Sequence, residues 1–149
     1  MPATLRGLPG STRSNAEASS LPTVFVVESD LSVRLSLVWL LESLGVEVRA
    51  FTSTREFLER FDGSSGCLVV DIGLRGVDPL LRFAREVQRR RPGLPLVAMS
   101  ADPFIAPEDV RHAGVLAFLH KPFASDTLLR CLRDACACAE DPPSGALPN

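Results

Sequence analysis

The chain has 149 residues, 46% of them hydrophobic, which is enough for one domain with a buried core. Its 16 Lys and Arg residues and 18 Asp and Glu residues give a net charge of -2, so a general attraction to nucleic acids or anionic membranes is not expected. The longest apolar run, residues 37–41, is far below the ~20 residues that span a bilayer, and residues 1–20 lack the apolar segment of a secretory signal. These features predict a cytoplasmic protein that binds neither nucleic acid nor membrane directly.

The terminal segments and the cysteines give no indication of a functional site. Residues 1–22 and 140–149 are rich in small, polar and proline residues, and such segments bury too little apolar surface to offset the entropy of ordering. We expect two disordered tails around one folded domain of residues 23–139. The cysteines at positions 67, 131, 136 and 138 follow no zinc-binding spacing with each other or with the two histidines, so they are interpreted as reduced thiols.

Short apolar segments alternate with longer segments of helical period along the predicted domain. In chain order, strands are predicted at residues 23–27, 47–51, 66–71, 94–99 and 115–119. Helices are predicted between them, at residues 30–44, 53–61, 79–91, 107–113 and 125–136. Asp30 is expected to cap the first helix, and Ser53 with Glu56 forms a capping box at the start of the second. Gly45 and Gly114 are expected to end the first and fourth helices.

Five strands that alternate with five helices predict an α/β fold with a doubly wound parallel sheet, because parallel strands need right-handed helical crossovers. In such sheets a ligand site lies at the carboxyl ends of the strands. The residues predicted there are polar: Glu28 and Ser29 after the first strand, Asp71 at the third, Ser100 at the fourth and Lys121 at the fifth.

Asp71 and Lys121 are the two most informative of these residues. Asp71 closes an otherwise apolar strand, where a carboxylate has no packing role. Lys121 is the single lysine of a chain that otherwise uses arginine, and its compact ammonium suits a phosphoryl oxygen or a carboxylate. A carboxylate can act as a nucleophile towards phosphorus, with Lys121 and the hydroxyl of Ser100 holding the phosphoryl oxygens. A structural ion pair between Asp71 and Lys121 is the alternative.

From residue 24 to about residue 135 the chain resembles a response-regulator receiver domain of two-component signalling, nearest to the type found in nitrogen-fixation and nodulation regulators. The motifs that carry the resemblance are residues 24–27 with the acidic turn after them, 33–34, 68–71, 96–101 and 117–123. The last of these, Ala-Phe-Leu-His-Lys-Pro-Phe, is the most specific. The resemblance implies a flavodoxin-like fold with strand order 2-1-3-4-5, and a histidine kinase or phosphotransfer protein as the phosphoryl donor.

The resemblance also implies a role for individual residues. Asp71 becomes the phosphoacceptor, Ser100 the switch hydroxyl, and Phe118 the aromatic residue whose rotamer reports the signalling state. Lys121 becomes the partner of the phosphoryl group, and Pro122 is expected to follow a cis peptide bond. Such a domain is a phosphoacceptor in signalling rather than an enzyme.

The acidic turn after the first strand departs from the family pattern. Receivers usually place two aspartates there, which hold Mg²⁺ together with the phosphoacceptor, whereas this chain has Glu28 and Ser29. A neutral serine removes charge from a metal that takes only one or two carboxylates, so weakened Mg²⁺ binding by Glu28 and Asp71 is expected. Asp30 is interpreted as a helix cap rather than a ligand. In the loop after Asp71, Pro79 replaces a glycine of the family and fixes φ.

Two hypotheses for function remain open. The first is a receiver that accepts a phosphoryl group on Asp71 and signals through protein contacts. The second is a phosphorylation-independent pseudo-receiver, which the Glu28–Ser29 pair favours. Only ten residues follow Ala139, too few for a helix-turn-helix, so the chain is expected to be a stand-alone receiver or one whose output domain has been removed.

The first predicted helix carries apolar residues on two sides. The core side is expected to contain Val33, Leu37, Leu40, Leu41 and Leu44. On the opposite side Leu31, Leu35 and Trp39 recur at intervals of four, and in receivers this helix borders the docking surface of the phosphodonor. We therefore predict a partner interface centred on Trp39. Coverage of Trp39 by the N-terminal segment is the alternative, and a homodimer is neither supported nor excluded.

Overall fold

The computed structural model describes residues 21–73, 76–111 and 113–140. The strands are β1 (Val24–Val27), β2 (Val48–Phe51), β3 (Cys67–Asp71), β4 (Leu96–Ser100) and β5 (Val115–His120). The helices are α1 (Leu31–Ser43), α2 (Thr54–Arg60), α3 (Asp78–Arg90), α4 (Glu108–Arg111) and α5 (Ser125–Glu140). Within these ranges, no helix has the length and apolar character needed to cross a membrane.

The five strands form one parallel sheet in the order β2-β1-β3-β4-β5, which confirms the predicted fold class. Every residue of β1 and β4 is buried, as expected for inner strands of a sheet covered on both faces. β2 lies at one edge, and two of its four residues are exposed. The order reverses between β1 and β3, so the carboxyl ends of these two strands flank the crevice in which doubly wound sheets bind ligands.

Two apolar cores cover the two faces of the sheet. On one face, α1 and α5 bury Leu37, Leu41, Leu128 and Leu132 against the strands. On the other face, the side chains from α2, α3 and α4 form a core in which Phe57 is fully buried and its ring lies 4.7–5.8 Å from four other phenylalanine rings. These cores fix the strands, and therefore the positions of the polar residues at their ends.

The predicted starts of the first two helices are confirmed. The Asp30 carboxylate accepts a hydrogen bond from the Val33 amide at 3.0 Å, and the Ser53 hydroxyl accepts one from the Glu56 amide at 3.0 Å. Glu56 differs from a standard capping box, because its carboxylate accepts from the amide of Thr52 rather than from that of Ser53. Both caps lie beside the carboxyl end of the sheet and order the turns there.

Two helices differ in length from the prediction. α5 continues to Glu140, beyond the predicted end at residue 136, because the alanines near its end have the highest helix propensity. α4 covers only Glu108–Arg111, since Gly114 adopts a left-handed φ of 92° soon afterwards. Residues 1–20 and 141–149 of the predicted tails lie outside the described residues, so the boundaries of the folded domain stay a prediction.

Cys67, Cys131 and Cys136 form no disulfide. A hydrogen bond with the Cys136 thiol, together with burial, raises the pKa of the Cys67 thiol well above its ordinary value. Cys67 is therefore a protonated thiol at neutral pH. It lies buried at the start of β3, where its role is structural.

Candidate functional site

The structure brings together the polar residues predicted at the strand ends. Glu28 directly follows β1, Asp71 is the last residue of β3, and Lys121 directly follows β5. The Lys121 ammonium Nζ lies 2.7 Å from Glu28 Oε1 and 3.2 Å from Asp71 Oδ1. One cation therefore bridges two carboxylates that belong to different strands.

Glu28 is an acid in a nearly closed environment, with only 1% of its surface exposed. Its Oε1 accepts a hydrogen bond from Lys121 Nζ, and its Oε2 accepts one from the Asp30 amide at 3.1 Å. A buried carboxylate is stable only when it is paired and hydrogen-bonded. Both oxygens of Glu28 are hydrogen-bonded to groups of the protein, and one of those groups is a cation.

Burial and charge act in opposite directions on Lys121. Partial burial lowers the pKa of its ammonium, but the hydrogen bond to Glu28 and the charges of Asp71 and Glu28 outweigh that effect. The pKa of Lys121 is therefore raised above its ordinary value of 10.5, and the side chain is a permanent cation at physiological pH.

Asp71 also borders an open space. Its side chain is 10% exposed, and Oδ2 has no hydrogen-bond partner among the described residues. A cavity of about 200 Å³ lies beside it, lined among others by the side chains of Ser29, Thr52, Ser53 and Pro79. The Asp71 carboxylate is thus paired with Lys121 and also lines a cavity, an arrangement that suits a nucleophile as well as a structural ion pair.

The predicted switch residues lie on the neighbouring strands. Ser100 is fully buried; its hydroxyl donates a hydrogen bond to the Gly73 carbonyl at 3.2 Å and accepts one from the Asp102 amide at 2.9 Å. Phe118 is half-buried against the core under α2 to α4, with its ring 4.8 Å from that of His120. The Lys121–Pro122 peptide bond is cis, in agreement with the resemblance.

The site offers hard oxygen donors of the kind that Mg²⁺ prefers. Asp71 and Gly73 both line the cavity. However, Glu28 has both oxygens engaged, and Ser29 contributes a neutral hydroxyl. No cluster of three or more acidic, histidine or cysteine side chains suited to a metal occurs in the described part of the chain. The donor set therefore fits Mg²⁺ chemically but supplies few carboxylates for it.

The outer side of α1 is exposed as predicted. Leu31, Leu35 and Trp39 are 58%, 57% and 73% exposed, and the described residues leave Trp39 uncovered; the N-terminal segment that was the alternative cover lies outside them. Next to this stripe, an apolar groove of about 530 Å³ runs between α1 and the turn after β5, and its lining includes Ser36, Pro122 and Lys121. Trp39 and Ser36 are three residues apart and so are neighbours on the helix surface. An apolar surface therefore extends from Trp39 to the edge of the Asp71 site.

Arg34 belongs to the 33–34 motif of the resemblance, but no role was predicted for it. In the structure its Nη1 donates hydrogen bonds to the carbonyl oxygens of Glu28 at 2.8 Å and Ser29 at 3.3 Å. The available signal was its place four residues after the helix cap Asp30, where a long cationic side chain can reach back over the first turn.

Comparison with known proteins identifies the class to which this fold and site belong. Residues 24–133 match the response regulator receiver domain, and the chain belongs to that family. Receiver domains are signalling domains of two-component systems that interact with histidine kinases and phosphotransfer proteins and typically bind Mg²⁺ at an acidic pocket.

Two similar proteins are full-length regulators. The chain is 39% identical to Nodulation protein W of Bradyrhizobium diazoefficiens over 127 residues, which is 83% of this chain and 53% of that protein. It is 36% identical to the transcriptional regulatory protein TdiR of Thauera aromatica over 118 residues, 77% of this chain and 51% of that protein. The chain thus spans about half the length of these relatives.

Solved structures agree with the fold. The response regulator StyR superposes with a TM-score of 0.70 at 34% identity, covering 80% of this chain and 61% of StyR. FixJ-N gives a TM-score of 0.67 at 24% identity and covers 83% of this chain and 97% of its own, a likeness that concerns the fold alone.

Proposed function

We propose that this receiver accepts a phosphoryl group on Asp71 from the phosphohistidine of a histidine kinase or phosphotransfer protein. The observation that carries the proposal is the Asp71 carboxylate, which lies 3.2 Å from the Lys121 ammonium and belongs to a residue that lines the cavity. An Asp71 oxygen attacks phosphorus and forms the P–O bond of an acyl phosphate. The P–N bond of the donor breaks, and the histidine nitrogen keeps the electron pair.

Lys121 and Ser100 are the residues positioned to stabilise the transferred group. The Lys121 ammonium balances negative charge on a phosphoryl oxygen, and its raised pKa keeps it protonated for that task. The Ser100 hydroxyl donates to the Gly73 carbonyl in this structure, so donation to a phosphoryl oxygen requires that bond to break. The Ser100 hydroxyl would exchange the Gly73 carbonyl for a phosphoryl oxygen as its acceptor. Together with Phe118 on the next strand, this exchange is the proposed route by which phosphorylation changes the protein surface.

Asp71, with Glu28 as a second carboxylate, would hold Mg²⁺. The ion supplies charge neutralisation for the approaching phosphoryl group. One neighbouring fold, a response regulator from Thermotoga maritima, was solved in complex with Mg²⁺ and BeF. Because Lys121 competes for Glu28 and Ser29 is neutral, Mg²⁺ binding here is proposed to be weak.

The intact mass of the purified protein, measured after incubation with phosphoramidate or acetyl phosphate, tests the proposal. We expect a gain of one phosphoryl group in the presence of Mg²⁺, a smaller gain without it, and none in the Asp71→Asn variant. Circular dichroism of the variant provides the control for folding.

Absence of any mass gain in the folded wild-type protein, both from small donors and from a phosphorylated kinase, would contradict this function. The phosphorylation-independent interaction module would then be the better description. The specific observation in its favour is that Lys121 pairs with both Glu28 and Asp71 from within the chain and offsets part of their negative charge.

The phosphodonor is also proposed as the occupant of the apolar surface formed by Trp39 and the adjoining groove. The argument is continuity, because the groove is lined both by Ser36, a neighbour of Trp39 on α1, and by Lys121. A donor that places its histidine at Asp71 must lie against the surface around Lys121. Its helices would therefore extend along α1 and cover Trp39 and Leu35.

Replacing Trp39 by alanine is expected to slow phosphotransfer from a phosphorylated kinase by about tenfold or more, as for an aromatic interface residue worth ~2 kcal/mol, with no change in the rate from acetyl phosphate. The matched control is Phe104→Ala, which removes another aromatic side chain that is 90% exposed. Equal kinase rates for wild type and Trp39→Ala would contradict the docking proposal. A change in sedimentation coefficient of the variant alone would instead assign the surface to a second copy of the chain.

A further inference from the structure

The Arg34 side chain forms hydrogen bonds with the backbone of the turn before α1, and packing of the core does not require them. Its Nη1 donates to two backbone carbonyls, those of Glu28 and Ser29, which are the two residues that precede the cap of α1. These carbonyls have no other hydrogen-bond donor among the described residues. Both hydrogen bonds come from a single nitrogen, Nη1, so one cationic group with several N–H donors is sufficient to make them.

The turn held by Arg34 is the one that determines where the Glu28 carboxylate points. Three contacts fix it from different directions: Arg34 holds the carbonyls, the Glu28 carboxylate accepts from the Asp30 amide, and the Asp30 carboxylate caps α1. Arg34 is the only one of the three that supplies positive charge. Ser29 is neutral, so of the two residues whose carbonyls Arg34 holds, Glu28 alone contributes a carboxylate to the pocket. Arg34 is the cation that stabilises this turn.

We propose that Arg34 is a positioning residue for phosphoryl transfer, which holds the Glu28–Ser29 turn so that Glu28 stays directed at Lys121. The inference rests on the proposed phosphorylation of Asp71 and adds a residue outside the pocket to it. Arg34 acts through the backbone of its neighbours: loosening of the turn would let Glu28 and Lys121 shift together, and Lys121 would no longer be held beside Asp71.

The test compares Arg34→Met, Arg34→Lys and the control Arg85→Met, in which an exposed arginine of α3 is removed. We expect Arg34→Met to lower the maximal rate of phosphorylation by acetyl phosphate by about 10- to 100-fold, the size of effect that follows small misplacements of reacting groups. Arg34→Lys, which can still donate to both carbonyls, is expected to recover most of the rate, and Arg85→Met to match the wild type.

Amide NMR shifts provide a second measurement that does not depend on phosphorylation. In Arg34→Met the Asp30 amide proton should move upfield, because its bond to Glu28 Oε2 weakens, while the amide of Val69 in β3 should not move. An unchanged rate together with an unchanged Asp30 shift would overturn the inference, as would a failure of Arg34→Lys to recover either. If the wild-type protein takes up no phosphoryl group, the proposed function fails, and the Asp30 shift alone decides whether Arg34 holds the turn.

Discussion

The Lys121→Met protein is expected to be less stable than the wild type by about 3 kcal/mol, since removal of one partner from a buried pair leaves the other charge uncompensated. Glu28, at 1% exposure, would keep its hydrogen bond from the Asp30 amide but lose the cation with which it pairs. Urea denaturation at neutral pH measures the difference. The same variant should also lose most of its phosphorylation, because no ammonium remains beside Asp71.

Two comparisons isolate the cause. The double variant Lys121→Met with Glu28→Gln should regain much of the lost stability, since it removes the cation together with the more deeply buried of its two carboxylates and leaves only the Asp71 charge without a cation. Arg55→Met, which breaks an exposed ion pair with Glu59, should cost less than about 1 kcal/mol. Equal losses in Lys121→Met and Arg55→Met would show that the buried pair contributes no more than a surface pair.

The pH dependence of the Lys121 effect follows from the direction of its pKa shift. A cation whose pKa is raised in the folded state contributes stability that is complete below its unfolded value of 10.5 and is lost as pH rises through the higher folded value. The stability difference between wild type and Lys121→Met should thus stay constant from neutral pH to about pH 10 and shrink above it.

Ser29→Asp is expected to strengthen Mg²⁺ binding by about 10- to 100-fold, since one added charged ligand is worth ~1.5–3 kcal/mol and each ~1.4 kcal/mol is a factor of ten. Ser29 and Asp71 line the same cavity, so the replacement adds a second carboxylate to its lining. Calorimetric titration with MgCl₂ gives the affinity of each protein directly.

Ser29→Asn serves as the control, because asparagine has the shape of aspartate without its negative charge. Without Mg²⁺ the aspartate variant should be less stable than wild type, since a third acid crowds the pocket, and with Mg²⁺ its stability should rise with ion concentration. Equal Mg²⁺ affinities for the aspartate and asparagine variants would show that Ser29 is not the cause of weak binding.

The sequence was sufficient to predict the sheet and the residues that lie at the carboxyl ends of its strands. Parallel strands with buried runs align their carboxyl ends, so the approach of Asp71 and Lys121 follows from their positions at the ends of β3 and β5. The apolar stripe of Leu31, Leu35 and Trp39 follows from helical spacing in the same way. Both expectations depend only on the periodicity of local structure, which the sequence encodes directly.

The details of the site depend on side-chain rotamers, which local periodicity does not determine. Glu28 was expected to bind a metal with Asp71, whereas in the structure Lys121 and the Asp30 amide engage both of its oxygens. The contact of Arg34 with two carbonyls depends on how the turn after β1 folds back over α1. In each case a long side chain selects among several partners that become available only after the strands and helices have assembled.

Trp39 is the single tryptophan of the chain, which contains no tyrosine. It lies nine residues beyond Asp30 on α1, about 14 Å along the helix axis, and most of its surface is in water. Intrinsic fluorescence of this protein therefore reports on the outer face of one helix. An unlabelled sample should give an emission change when α1 is covered by another molecule, whereas chemistry at Asp71 alone should leave the emission nearly constant.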